Sequence, residues 1–216
     1  MKATIDKIIE TLKDIYPSLQ EPIVTEVARE GNPFFVLIST ILSLRTKDKT
    51  TKQATQRLLS VVKTPEEMLN LSVEKISQLI YPVGFYNVKA KNILKVCKIL
   101  VEKYNAQVPD KLEYLLNLPN VGRKTANLVL SKGFNIPAIC VDIHVHRISN
   151  RLGIVKTKTP TQTEFELTKV LPKKYWIEYN DLLVPFGQNI CTPISPFCSK
   201  CKLENMCLKV GVKSSR

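Results

Sequence analysis

The sequence predicts an all-α protein, and three observations carry that expectation. Helix-start signals recur from end to end, apolar residues return with a period near that of the α-helix, and strand-like alternation is almost absent. In MKATIDKIIETLKDIYPSL, residues Ile5, Ile8, Ile9, Leu12, Ile15 and Tyr16 fall on one helical face with charges between them. This predicts an amphipathic surface helix and not a targeting segment. Asn32-Pro33 opens FFVLISTILSLRT, with Asn as the cap and Pro in the first helical position. Thr64-Pro65 with Glu67 forms a capping-box pattern ahead of EEMLNL, and Asp110 with Glu113 repeats it ahead of KLEYLLNL. Between them, NVKAKNILKVCKILVEKYN sets Ile93, Val96, Cys97, Leu100 and Val101 on one face. The turn before it, in YPVGFYNVKAKNIL, precedes a basic helix start and reads either as a phosphate-facing turn or as an ordinary helix–helix turn.

The stretch LPNVGRKTANLVLSKGF raises a chemical question, because its small turn delivers Arg123 and Lys124 onto the start of a helix. Asn120 and Gly122, on either side of Val121, tolerate positive φ, which predicts a tight turn between two helices. Such a turn at a helix N-terminus directs backbone N–H groups outward and suits an anion, with phosphate the obvious guest. A lysine in the first helical turn, beside another cation and buried in a cleft, is disfavoured as an ammonium, and a partly neutral amine is a nucleophile. Asp142 follows Lys124 by eighteen positions and directly precedes IHVHRISNRLG, where it is placed to cap that helix.

Composition narrows the partner. The chain has 216 residues, a formal net charge of +13 and an isoelectric point near 9.5, which points to nucleic acid or an anionic membrane surface. No apolar run approaches the roughly 18 residues needed to span a bilayer, so nucleic acid is favoured. Cys97 and Cys140 lie in apolar stretches and read as buried thiols. Cys191, Cys198, Cys201 and Cys207 form a separate C-x6-C-x2-C-x5-C cluster. Four thiolates suit an iron–sulfur cluster or zinc, but zinc commonly takes two short-spaced pairs and only one C-x2-C occurs here.

Together, LPNVGRKTANLVL, the VD of AICVDIHVHRISNRLG and the four-cysteine C-terminus resemble the endonuclease III family of helix-hairpin-helix DNA glycosylases. The resemblance runs from about NPFFVLISTILSLRTKD to the last cysteine. It implies a bifunctional glycosylase and AP lyase of base excision repair, acting on double-stranded DNA with oxidised pyrimidines or abasic sites. Lys124 would be the nucleophile at the sugar C1′, Asp142 its acidic partner across a cleft, and the four cysteines the ligands of a [4Fe-4S] cluster. It further implies that Asn120, Val121, Gly122 and Arg123 meet DNA in the hairpin, that His144 contacts phosphate, and that Arg45 and Phe85 fill the gap left by an extruded nucleotide. The chain departs from the family pattern where Gln is common (Arg45), where Leu is common (Phe85), where the first hairpin glycine stands (Asn120), in VDIH for VDTH (Ile143), and at His146 in place of an apolar ring. The uncharged TPISPF loop gives no reason to expect a DNA contact there.

The resulting expectation is a continuous six-helix domain over 27–137 containing the hairpin, and a discontinuous domain of 1–26 with 138–216 carrying the cluster. A monomer is expected, inside a prokaryotic cell in cytoplasm or nucleoid. A monofunctional mismatch glycosylase and a non-catalytic helix-hairpin-helix binding protein are the alternatives; Lys124 speaks against the first, while the net charge alone would serve the second.

Overall fold

In a computed structural model, residues 2–216 are described, with side chains from residue 4 onward. The regular structure among the described residues is helical throughout, with no strand. The helices are α1 (Lys2–Ile15), α2 (Ile23–Ala28), α3 (Pro33–Ser43), α4 (Asp48–Val61), α5 (Pro65–Leu69), α6 (Val73–Ile80), α7 (Tyr86–Tyr104), α8 (Leu112–Leu116), α9 (Arg123–Leu128), α10 (Ile143–Leu152), α11 (Pro160–Val170) and α12 (Tyr179–Asn189). Two compact units divide them: Ile23–Ile136, and Met1–Pro22 with Pro137–Arg216. None of the helices is long and apolar enough to cross a membrane.

In the continuous unit α3 is almost wholly apolar and is buried from Phe34 to Leu42, as a central helix with neighbours on all sides must be. Its start follows the sequence: the Asn32 side chain accepts from the Phe34 N–H at 2.9 Å, and Pro33 occupies the first turn. At α5, Thr64 Oγ1 accepts from the Glu67 N–H at 3.2 Å, and the Glu67 carboxylate accepts from the Lys63 N–H at 2.6 Å, one residue earlier than a standard capping box. On α7, Ile93, Val96, Cys97 and Leu100 are fully buried and Val101 partly so. Burial pushes the Cys97 thiol up to about 12, which suits an inert core residue. Asp110 is not a cap: α8 takes Lys111 as N-cap with no side-chain bond. A five-residue helix of this kind is held by tertiary burial, here Leu115 at 0 % exposure.

The other unit is built around the buried face of α1. Ile5, Ile8, Ile9, Leu12 and Ile15 join Val145, Ile148, Leu152, Leu167, Tyr179, Leu183 and Phe186 in one core. Each such side chain contributes about 1.5–3 kcal/mol by leaving water. Tyr179 carries a hydroxyl into that core and meets Ser149 Oγ there at 2.9 Å. Helix α10 ends at Gly153, whose φ of +78° is the left-handed value that L side chains resist, and a Cβ there would stand 2.2 Å from Leu208 Cδ1. Gly153→Ala is expected to lower unfolding stability by about 1–2 kcal/mol through backbone strain alone, read by thermal melting, and an unchanged melting temperature would refute this account of the cap.

Candidate active site

The hairpin runs from α8 to α9 through Asn117–Gly122. Asn120 adopts φ 60°, the left-handed position for which Asn is the best non-glycine residue. Gly122 does not share it: at φ −90° and ψ 179° its backbone is extended, so the turn needs one left-handed residue and not two. Gly122 is exposed, and a Cβ there would meet nothing within 4 Å, so the fold itself does not demand glycine at this point. Val121 anchors the turn, with its side chain 5 % exposed and its N–H donating to Leu118 O at 3.1 Å. Arg123 and Lys124 are the first two residues of α9 and both are half-buried. After Leu128 the helix continues as a π-helical segment, Val129–Gly133.

In the other unit Asp142 is the N-cap of α10, as its place in the sequence predicts. Its Oδ1 accepts from the His144 N–H at 2.9 Å and from the Val145 N–H at 2.8 Å. Oδ2 takes part in neither bond, so the carboxylate keeps an oxygen for other work while the cap fixes its orientation. His144 is drawn into packing: its Nδ1 accepts from Arg147 Nη2 at 3.1 Å, which leaves the ring proton on Nε2. His146 lies in a separate polar cluster, 2.6 Å from Thr163 Oγ1, and burial holds its pKa below the usual histidine range. The packing of His144 depends on Gly187 of α12, where a Cβ would stand 2.5 Å from His144 Nδ1 and 2.9 Å from Ile148 Cδ1.

Arg45 and Phe85, forty positions apart in sequence, meet in the continuous unit. Both are exposed, both have positive φ (54° and 59°), and the Arg45 guanidinium stands 5.7 Å from the Phe85 ring centre. Their turns touch through backbone: a Cβ on Gly84 would lie 2.6 Å from Arg45 O, and the Gly84 N–H donates to Thr46 Oγ1 at 3.1 Å. Beneath them Lys89 is 7 % exposed and donates from Nζ to Leu42 O at 2.8 Å, Leu44 O at 2.5 Å and Thr46 Oγ1 at 3.2 Å. Burial lowers its pKa to about 8. Sequence reasoning missed Lys89, yet a signal existed: it falls at helical spacing on the same face as Ile93, Val96 and Leu100.

Cys191, Cys198, Cys201 and Cys207 line a single cavity in the discontinuous unit. Among the described residues no three His, Cys, Asp or Glu stand in the arrangement of a formed metal site. The chemistry of the donors nonetheless fits a cluster. Burial pushes the Cys201 thiol up to about 11 and likewise raises Cys207, so thiolate ligands at these positions call for a cationic centre. Donors already converge on the sulfurs: Arg151 Nη1 reaches Cys191 Sγ at 3.3 Å and the Lys209 N–H reaches Cys207 Sγ at 3.4 Å. Arg151 also binds Thr192 O and Pro193 O, each at 2.7 Å, and is 7 % exposed. Sequence reasoning does not single it out either, although it sits three residues from Ile148 and beside Leu152 on a buried face.

A family model described as HhH-GPD superfamily base excision DNA repair protein matches residues 38–173. The chain is 52 % identical over 179 residues to an endonuclease III of Thermotoga maritima, across 83 % of this chain and 84 % of that one. With the endonuclease III of Escherichia coli K12 it shares 40 % identity over 177 residues, across 82 % and 84 %. A solved non-covalent endonuclease III–DNA complex superposes with a TM-score of 0.86 at 36 % identity, covering 97 % of this chain and 96 % of the other. A trapped endonuclease III–DNA covalent intermediate does so with a TM-score of 0.80 at 34 % identity, covering 95 % and 96 %. Hairpin, capped aspartate and four-cysteine coil thus sit in a chain that belongs to the endonuclease III family, within the HhH-GPD superfamily of base excision DNA repair proteins.

Proposed function

We propose that the protein is a bifunctional DNA glycosylase and AP lyase that removes oxidised pyrimidines, with Lys124 as nucleophile and Asp142 as its acidic partner. The observation that carries the assignment is Lys124 itself, a half-buried amine in the first turn of α9, directly behind a left-handed hairpin turn. The amine attacks the sugar C1′, the glycosidic bond breaks, and the base leaves with a proton. Ring opening gives an iminium on Lys124; loss of a C2′ proton then expels the 3′ phosphate and cuts the strand. Asp142 stabilises positive charge on the sugar and moves protons through the oxygen its cap leaves available. A buried base cannot be reached in this way, so the nucleotide is extruded, at a cost of a few kcal/mol. Arg45 and Phe85 fill the space it vacates. The exposed hairpin backbone at Asn120 and Gly122, with Arg123 and the Nε2 of His144, holds phosphates; the substrate is double-stranded DNA and the active species a monomer.

The four cysteines are assigned to a [4Fe-4S] cluster, which when bound cross-links a coil with little core of its own. Arg151 prepares that seat by fixing the backbone after Cys191. The six-helix barrel expected of the continuous unit, and the iron–sulfur domain expected of the other, belong to the same reading.

Three outcomes test the proposal. Borohydride added to the protein on abasic-site duplex is expected to trap a covalent adduct that is absent in Lys124→Ala; persistence of the adduct in that variant would remove Lys124 from the role. Asp142→Asn keeps a capping oxygen and so should melt close to wild type, while base excision falls by about 10²-fold or more. Equal excision rates would leave Asp142 as a cap and nothing else. The purified protein should be brown, with iron and acid-labile sulfide in equal amounts, and Cys201→Ala should lose both; zinc in their place would overturn the cluster assignment.

A further inference from the structure

Lys89 is a buried cation that the reaction does not use, and the structure shows what surrounds it. It projects from the first turn of α7 to the C-terminal end of α3, where Leu42 and Leu44 offer carbonyl oxygens that the helix cannot satisfy. Its third partner, Thr46 Oγ1, also accepts the Gly84 N–H. One hydroxyl therefore ties the turn carrying Arg45 to the turn carrying Phe85, and one ammonium holds that hydroxyl and the helix end in place. The two turns meet so closely that only glycine fits at position 84. Arg45 and Phe85 both hold left-handed backbone, which costs about 1–2 kcal/mol per residue and persists only where neighbouring structure enforces it.

We propose that Lys89, acting through Thr46, is the positioning residue for DNA opening: it locks the two turns together so that Arg45 and Phe85 enter the duplex as one rigid wedge. This rests on the assignment of Arg45 and Phe85 as the gap-filling pair. Extruding a nucleotide while the gap is still open leaves unstacked bases beside water, so a wedge that must first be ordered loses part of its effect. Burial that lowers the ammonium to about 8 is consistent with a group retained for geometry, since an exposed lysine could serve any purely electrostatic attraction to DNA.

The test compares two substrates that need the wedge to different degrees: an abasic site in duplex DNA, and the same abasic strand unpaired. Single-turnover cleavage is measured for both. In Lys89→Met and in Thr46→Val the ratio of duplex to single-strand rate is expected to fall about tenfold or more, as misplacement distant from the chemistry can do. Lys89→Arg, which keeps a cation with several donors, should recover most of that ratio. A ratio unchanged in both Lys89→Met and Thr46→Val overturns the proposal, as does a fall in both rates by the same factor. Thr46→Val removes the acceptor while keeping the side-chain shape, so it carries the test if Lys89→Met does not fold. The double variant Arg45→Ala with Phe85→Ala separates the two levels. If it leaves the ratio intact, the gap-filling assignment fails and the proposal falls with it. If it lowers the ratio while the Lys89 and Thr46 variants do not, only the positioning role is lost.

Discussion

An α-helix leaves its first four N–H groups and its last four carbonyls without partners, and the chemistry of this protein is arranged around meeting them. Asp142 closes the N-terminus of α10 with one carboxylate oxygen. Lys89 closes the C-terminus of α3. Arg147 does the same for α12, binding Gly187 O at 3.1 Å and Cys191 O at 2.9 Å. Arg151, in the last turn of α10, meets the carbonyls that follow Cys191. Lys124 lies at a helix start whose backbone faces the turn at Asn120–Gly122. Residues that elsewhere would be ordinary caps here also fix the backbone of the turns that carry Arg45 and Phe85 and of the coil that follows Cys191.

The buried cations follow from the same constraint. Lys89 and Arg151 are each 7 % exposed, and they donate to carbonyl oxygens, a hydroxyl and a thiol. Backbone carbonyls at helix ends and tight turns are already oriented, so they solvate a cation without the side-chain ordering that a carboxylate partner would require. Surface pairs such as Lys52 with Glu26 and Lys169 with Glu166 remain exposed and contribute little. Most of the excess positive charge therefore stays at the surface, where it attracts a polyanion from a distance and loses strength with salt.

The sequence made the local rules legible and the non-local ones only faintly. Asn32 and Thr64 announce their helices because a cap reads only two or three residues ahead, and the faces of α1 and α7 follow from period alone. Asp110 resembles the same signal, but the fold starts α8 later, where burial of Leu115 outweighs a cap. Gly122 invited the left-handed region and does not use it, since Asn120 already turns the chain. Arg45 and Phe85 carried no sign in their own segments that they would touch, because that contact depends on the missing side chain at Gly84 and on a lysine four residues beyond Phe85 in α7. Lys89 and Arg151 went unread because a pattern of apolar and polar residues assigns every cation to solvent. Their spacing placed them inside.

Gly187 carries no functional group and lies forty-five positions from Asp142, yet the space above it is occupied by the His144 ring and the tip of Ile148. One added carbon would lift α10 off α12, and the carboxylate at the head of α10 would travel with its helix. In a genetic screen, an alanine at that position would leave every titratable side chain and every cysteine of the chain in place and would change only where the head of α10 stands over α12.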